Sequence, residues 1–186
     1  MPEIKRFPKM RVAYVTMIGP YGESVQQGFN QLFAWLGANN LQPMGASFGI
    51  FHDDPAKVAP DKLRSELCVP VAPEVQGAGE IQVKEIDAFE AATIVYQGEA
   101  NITRAYNEVY DWLRAQGYRD AGAPIEVYLS MPGEELRAEV YVPIEKLELL
   151  PAPKPTAKKA ARKVAKRPAK KPVKQAAKKK ATKRAK

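Results

Sequence analysis

An α+β fold made of two copies of a β-α-β-β unit is predicted for this 186-residue chain, on three observations. Val25, Phe29, Leu32, Phe33 and Leu36 recur 77 residues later as Ile102, Tyr106, Val109, Tyr110 and Leu113, with Trp35 and Trp112 at matching places. Each set falls at i, i+4, i+7, i+8 and i+11, which gathers five apolar side chains on one face of an α-helix. Downstream, Arg64-Ser65-Glu66-Leu67-Cys68-Val69-Pro70-Val71 is echoed by Arg137-Ala138-Glu139-Val140-Tyr141-Val142-Pro143-Ile144. Finally, the strand-like segments are mostly joined by short turns and only two helices occur, the signature of an antiparallel sheet carrying both helices on one face. Two like halves side by side leave a groove at their junction, a common place for a ligand.

The elements follow in order. Residues 11–18 are rich in β-formers and end at the turn cluster Gly19-Pro20-Tyr21-Gly22. A helix is predicted from Ser24 to Asn39, with Ser24 or Glu23 placed where the helix dipole favours oxygen acceptors. Strands at 46–52 and 63–72 flank a polar loop from Asp53 to Pro60. The second half opens with strands 80–86 and 89–97, then a helix from Asn101 to Gln116 closed by Gly117. Strands 124–131 and 135–144, turning at Pro132-Gly133, complete it. The repeats thus span about 10–72 and 80–146 of a domain covering 1–150, and 151–186 form a tail.

Charge divides the chain at the same boundary. All 21 acidic residues lie in 1–150 with 13 basic ones, a net charge of −8, while the tail holds 16 Lys and Arg and no acid. Cys68 is the lone cysteine and His52 the lone histidine. No intramolecular disulfide and no ordinary Cys/His metal site can be assembled from them, and a reducing compartment is expected. A Cys68–His52 nucleophilic pair is formally available, but nothing in the sequence brings them together. Gly77-Ala78-Gly79 lacks the third glycine and following helix of a phosphate loop. With no secretory signal and no membrane-length apolar run, the chain is expected in the cytoplasm, without a membrane partner and without a cofactor.

Alternation assigns strand faces. Leu136, Ala138, Val140, Val142 and Ile144 share one face; so do Ile125, Val127, Leu129 and Met131. If both apolar faces meet the helix stripes, the opposite sheet face collects Glu126, Tyr128, Glu139 and Tyr141, with Glu66 and Cys68 from the first half. Carboxylates among aromatic rings suit an organic cation or an amphipathic molecule. The same residues are equally ordinary on a solvated sheet face.

Val12 to Trp35, with its Gly19-Pro20-Tyr21 turn and Gly28-Phe29-x-Gln31-Leu32 helix, resembles the DNA gyrase inhibitor (GyrI-like) family. Pro60-Asp61-Lys62-Leu63-Arg64 and Ile125-Glu126-Val127-Tyr128-Leu129 extend the resemblance to about residues 10–146. It implies a pseudo-symmetric pair of β-α-β-β units with a groove between them, the module that binds effectors in multidrug-responsive transcription activators. It also implies binding of cationic or hydrophobic small molecules, with Glu126 as the ligand-facing acid and Tyr128 as its aromatic partner. Three activities accompany the resemblance: effector binding, action on gyrase, and hydrolysis of strained small molecules with Glu126 and Tyr128 as base and proton donor. No helix-turn-helix precedes residue 11, unlike the regulators, and the basic tail is outside the family pattern.

Residues 151–186 are almost entirely Lys, Ala, Pro, Arg, Thr and Val, with no aromatic residue to nucleate a core; disorder is expected. Lys158, Lys159, Arg162, Lys163, Lys166, Arg167, Lys170, Lys171, Lys178, Lys179 and Lys180 are the candidates for nucleic-acid contact. Without aromatic stacking or a fixed reading element, contact with DNA would be nonspecific and electrostatic. The expected function is a non-enzymatic ligand-binding protein tethered to DNA, near the nucleoid, modulating DNA gyrase. The alternative is a hydrolase or a drug-sequestering protein working through Glu126.

Overall fold

The computed structural model describes residues 1–130 and 133–147. Met131, Pro132 and the whole tail, with its eleven candidate DNA-contacting cations, lie outside the described residues. The strands are β1 (Glu3–Phe7), β2 (Met10–Ile18), β3 (Phe48–Phe51), β4 (Arg64–Pro70), β5 (Gln82–Ile86), β6 (Phe89–Gln97), β7 (Tyr118–Asp120), β8 (Ile125–Tyr128) and β9 (Arg137–Lys146). The helices are α1 (Tyr21–Ala38) and α2 (Ile102–Ala115). One antiparallel sheet runs β1-β6-β9-β8-β3-β4-β2-β5, with β7 added beside the end of β9. This is the α+β duplication expected from the repeats, with two strands more.

That order reads the same from either end once the halves are exchanged. β2 pairs with β4 and β6 with β9, and the Val12–Pro70 pair corresponds to Ala91–Pro143. Each half's leading strand crosses to the other half: β1 pairs with β6, and β5 pairs with β2. The exchange is repeated in the side chains. Lys5 on β1 reaches Glu139 on β9 at 2.8 Å, and Lys84 on β5 pairs with Glu66 on β4. The middle of the sheet is β3 against β8, where Phe48 faces Val127, Ile50 faces Ile125 and Gly49 faces Glu126. Because Gly49 and Glu126 are 77 residues apart, like the helix stripes, the pseudo-two-fold axis passes through this one pair.

Both sheet faces are buried. On the helix side, Leu32 and Leu36 pack with Ala13, Val15, Leu67 and Val69, and Val109 and Leu113 pack with Ile94, Ala138, Val140 and Val142. The other face holds Phe7, Val12, Phe48, Ile50, Cys68 and Ile125. Phe7 and Phe48 lie four strands apart in the sheet order, about 19 Å in a flat sheet, yet their ring centroids are 5.6 Å apart. The sheet therefore curls into a half-barrel around this cluster, and the helices ride outside.

The helix termini adjust two expectations. α1 starts at Tyr21 with Pro20, whose fixed φ of −56° suits a helix start, in the cap position; Ser24 lies buried inside the helix. At the end of α2, Gly117 takes φ +77° and donates its N–H to the Arg114 carbonyl, as expected for a glycine stop. Gly28 lets α1 approach the sheet closely, since a Cβ there would sit 2.9 Å from Leu67 Cδ2 and Met17 Cγ and force those side chains to shift.

Candidate ligand-binding groove

The expected helix stripes separate into two rows. Gly28, Leu32 and Leu36, matched by Ala105, Val109 and Leu113, are buried against the sheet. Val25, Phe29 and Phe33, matched by Ile102, Tyr106 and Tyr110, turn toward the space between the helices. That space is a groove of about 2100 Å³ whose floor is Phe51 of β3 with Glu126 and Tyr128 of β8.

Glu126 is the chemical centre of the groove. It is only 7% exposed. Tyr106 donates its hydroxyl proton to Oε1 at 2.8 Å, and Tyr96 donates to Oε2 at 3.1 Å. Among the described residues, no lysine, arginine or histidine forms an ion pair with it. Burial raises its pKa above the ordinary glutamate value, and the two tyrosine hydrogen bonds only partly oppose that. Burial, followed by the charge of Glu126, also raises the pKa of Tyr96, Tyr106 and Tyr128, so all three remain protonated. The Tyr128 ring meets Phe29 of α1 edge-on at 5.4 Å, joining the two walls near the floor.

One end of the groove is braced by an ion pair. Arg64 donates Nε–H and Nη2–H to the Asp53 carboxylate, each at 2.9 Å, and holds its pKa down. The Tyr21 hydroxyl donates to the Asp53 carbonyl at 2.8 Å and accepts the Asp53 N–H at 3.1 Å. These contacts pin the segment after β3 beside the first turn of α1.

The six sequence-derived ligand residues do not converge. In antiparallel register, Glu126 faces Val140 and Tyr128 faces Ala138; directly paired residues share a face, and this face carries the helices. Ile125 and Val127 instead enter the cluster inside the curl with Cys68 and Tyr141. The expectation that the apolar side of β8 meets the helices is therefore reversed, because this sheet has an apolar core on each side. Glu66, Cys68, Glu139 and Tyr141 sit inside the curl with their needs met internally. Glu139 is bound by Lys5 and by the Tyr141 hydroxyl at 3.0 Å, and Glu66 by Lys84, with His52 Nε2 at 3.6 Å. Cys68 is fully buried, which pushes its thiol pKa far up, so it is no nucleophile in the folded protein.

Tyr96 and Tyr106 were missed as partners of Glu126. Tyr106 carried a readable signal, since tyrosine stands there where the first repeat has Phe29. Tyr96 carried none, since its approach depends on the pairing of β6 with β9.

Residues 1–145 match the GyrI-like small molecule binding domain, and the chain belongs to that family. It is 35% identical over 130 residues to DNA gyrase inhibitor 2 of Dickeya dadantii (strain 3937), covering 66% of this chain and 80% of that protein. The fold is similar to the EcmrR C-terminal domain, with TM-score 0.63 and 22% identity over 79% of this chain and 98% of that one. EcmrR in its DNA complex gives TM-score 0.69 and 20% identity over 79% of this chain; the match spans 58% of that chain. Among the described residues, no helix is long and apolar enough to cross a membrane.

Proposed function

We propose that this protein is a non-enzymatic receptor for small amphipathic cations, held on DNA by residues 151–186 and acting there on DNA gyrase. The observation that carries the ligand reading is Glu126: a nearly buried carboxylate, bound by two hydroxyls, without a cation among the described residues, at the floor of an aromatic groove. A desolvated anion of this kind gains most from a cation that brings its own apolar surface, because ring faces attract positive charge and the apolar parts leave water. Gyrase enters through the likeness to DNA gyrase inhibitor 2.

The DNA reading rests on the tail's 16 cations and absence of acids. If it neutralises about 6 to 10 phosphates, affinity should drop about 10³- to 10⁵-fold between 50 and 200 mM salt. Tethering raises the domain's local concentration on DNA without any base-specific contact. The test compares the full chain with a 1–149 truncation in DNA binding across a salt series, with supercoiling by gyrase at matched DNA occupancy. Steep salt-dependent binding and gyrase inhibition that both vanish in the truncation are expected. Equal DNA retention by the truncation would sink the tether, and unchanged supercoiling with either form would remove gyrase.

Hydrolysis is a second reading with an observation behind it, because a carboxylate with raised pKa in a groove beside protonated tyrosines has the make-up of an acid–base site. Turnover of a small-molecule substrate that disappears in Glu126→Gln would establish it; binding without turnover supports the receptor.

A further inference from the structure

Pockets that bury a drug-sized molecule usually measure about 300–1,000 Å³, whereas this groove measures about 2100 Å³. A small ligand on its floor leaves much of its own surface in water unless part of the wall comes in over it.

The segment joining β3 to β4 has tied ends and a free body. At its root Phe51 and Ser65 are directly paired, and the Asp53 carboxylate accepts the Arg64 N–H at 2.8 Å. At the far end Gly19 donates its N–H to the carbonyl of buried Leu63 at 2.9 Å. Between these anchors the chain is held by itself. The Ala56 N–H bonds Asp54 Oδ1 at 2.9 Å, the Lys57 and Val58 N–H groups bond the Asp54 carbonyl, and Lys57 Nζ lies 2.8 Å from Asp54 Oδ2. Among the described residues, no hydrogen bond or ion pair of 54–62 reaches beyond Leu63. Pro55 and Pro60 fix the backbone near either end of the segment, so it can swing as a unit. A compact loop with its ends together is an Ω-loop, a form often put to functional use.

Asp54, Pro55, Ala56 and Lys57 line one end of the groove together with Asp120, the last residue of β7. Asp120 is exposed and forms no ion pair among the described residues. The two sides already sense each other. The Asp54 hydrogen bond raises the Lys57 pKa, and the charge of Asp120 adds to it. Tyr110 of α2, its pKa raised by burial, feels both Asp120 and Asp54. Lys57 is 79% exposed, and exposed ion pairs are weak, so trading one aspartate for the other costs little.

We propose that residues 54–62 are a strap that closes the Asp120 end of the groove over its occupant, with Lys57 passing from Asp54 to Asp120 as the latch. The occupant is taken from the receptor reading above; the closing motion belongs to the loop itself.

The test introduces Lys57→Cys with Asp120→Cys into the full chain, where the remaining thiol, Cys68, is fully buried. A disulfide forms only if the strap brings the two Cα atoms within about 7 Å. Mild oxidation should consume both new thiols, whereas Lys57→Cys paired with Asn30→Cys on α1 should stay reduced; thermal melts verify folding. Decyltrimethylammonium, below its micelle concentration and loaded before oxidation, should then dissociate about tenfold more slowly, until reduction restores the rate. Dissociation is followed by NMR exchange of its trimethylammonium signal. Without the crosslink, Lys57→Asp or Asp120→Lys should each speed release roughly threefold, and the double exchange should restore it. A Lys57–Asp120 cysteine pair that stays reduced overturns the strap, as does a crosslink that leaves release of bound probe unchanged. If the parent binds no probe, the receptor reading falls, and the crosslink, which needs no ligand, decides the strap alone.

Discussion

Glu126→Gln isolates the charge of the groove while leaving its shape. Gln keeps one oxygen to accept from the Tyr106 hydroxyl, and its amide can donate to the Tyr96 oxygen across the distance now spanned at 3.1 Å. A cationic centre seated about 5 Å from the carboxylate at an effective dielectric of about 20 gains about 3 kcal/mol. Loss of that attraction is worth on the order of 100-fold in affinity. The assay is calorimetric titration with decyltrimethylammonium below its micelle concentration at neutral pH, beside a thermal melt of the free protein. The melt carries its own sign. The folded pKa of Glu126 is raised above its ordinary value of 4.5 by burial. Its ionised form therefore costs stability that is absent below the ordinary value and fully present above the raised one. The variant should melt at the same temperature as the parent or higher at neutral pH, and should bind far more weakly. Equal affinity in the two proteins would refute the reasoning, because the groove would then be recognising shape alone.

Three further outcomes are expected. Cation affinity should fall as pH drops through the raised pKa of Glu126, beginning above the range of an ordinary glutamate, and ligand binding should release protons; a flat profile there would place the cation elsewhere. Leu32→Asp and Val109→Asp each put a charge at a fully buried position and should cost at least about 4 kcal/mol in urea unfolding, whereas parental stability would mean the buried rows are misassigned. Cys68, buried and with its thiol pKa far up, should resist Ellman's reagent in the folded protein and react once denatured; rapid native labelling would contradict the closed curl.

The duplication was legible because helical and strand periodicities repeat at nearly constant spacing, and the two long helices stand within a few residues of their expected bounds. β1 was not. Glu-Ile-Lys-Arg-Phe carries no strict alternation, and its strand conformation comes from pairing with β6, more than 80 residues away. Missing β1 also hid Phe7, the ring that fills the curl, and with it the second apolar core. Without that core, the apolar side of β8 could only be assigned to the helices, and Glu126 and Tyr128 were sent to the wrong face. Glu126 was visible as a candidate through the family motif. Its environment was not, since Tyr96 and Tyr106 reach it from elements whose approach is tertiary.

The crossing of β1 and β5 has a consequence for how the molecule holds together. A cut in the 71–81 connection would not release two small domains, because each fragment would lack the outer strand that its partner carries. Neither repeat can complete its own sheet, so unfolding should be a single cooperative event despite the internal copy. Folding must wait for contacts between residues more than 80 positions apart, which places it among slow, high-contact-order topologies. Two separately expressed fragments should instead find each other, each supplying the missing edge. The same geometry would have let two copies of a single ancestral repeat trade first strands and form a groove before the chain was ever joined.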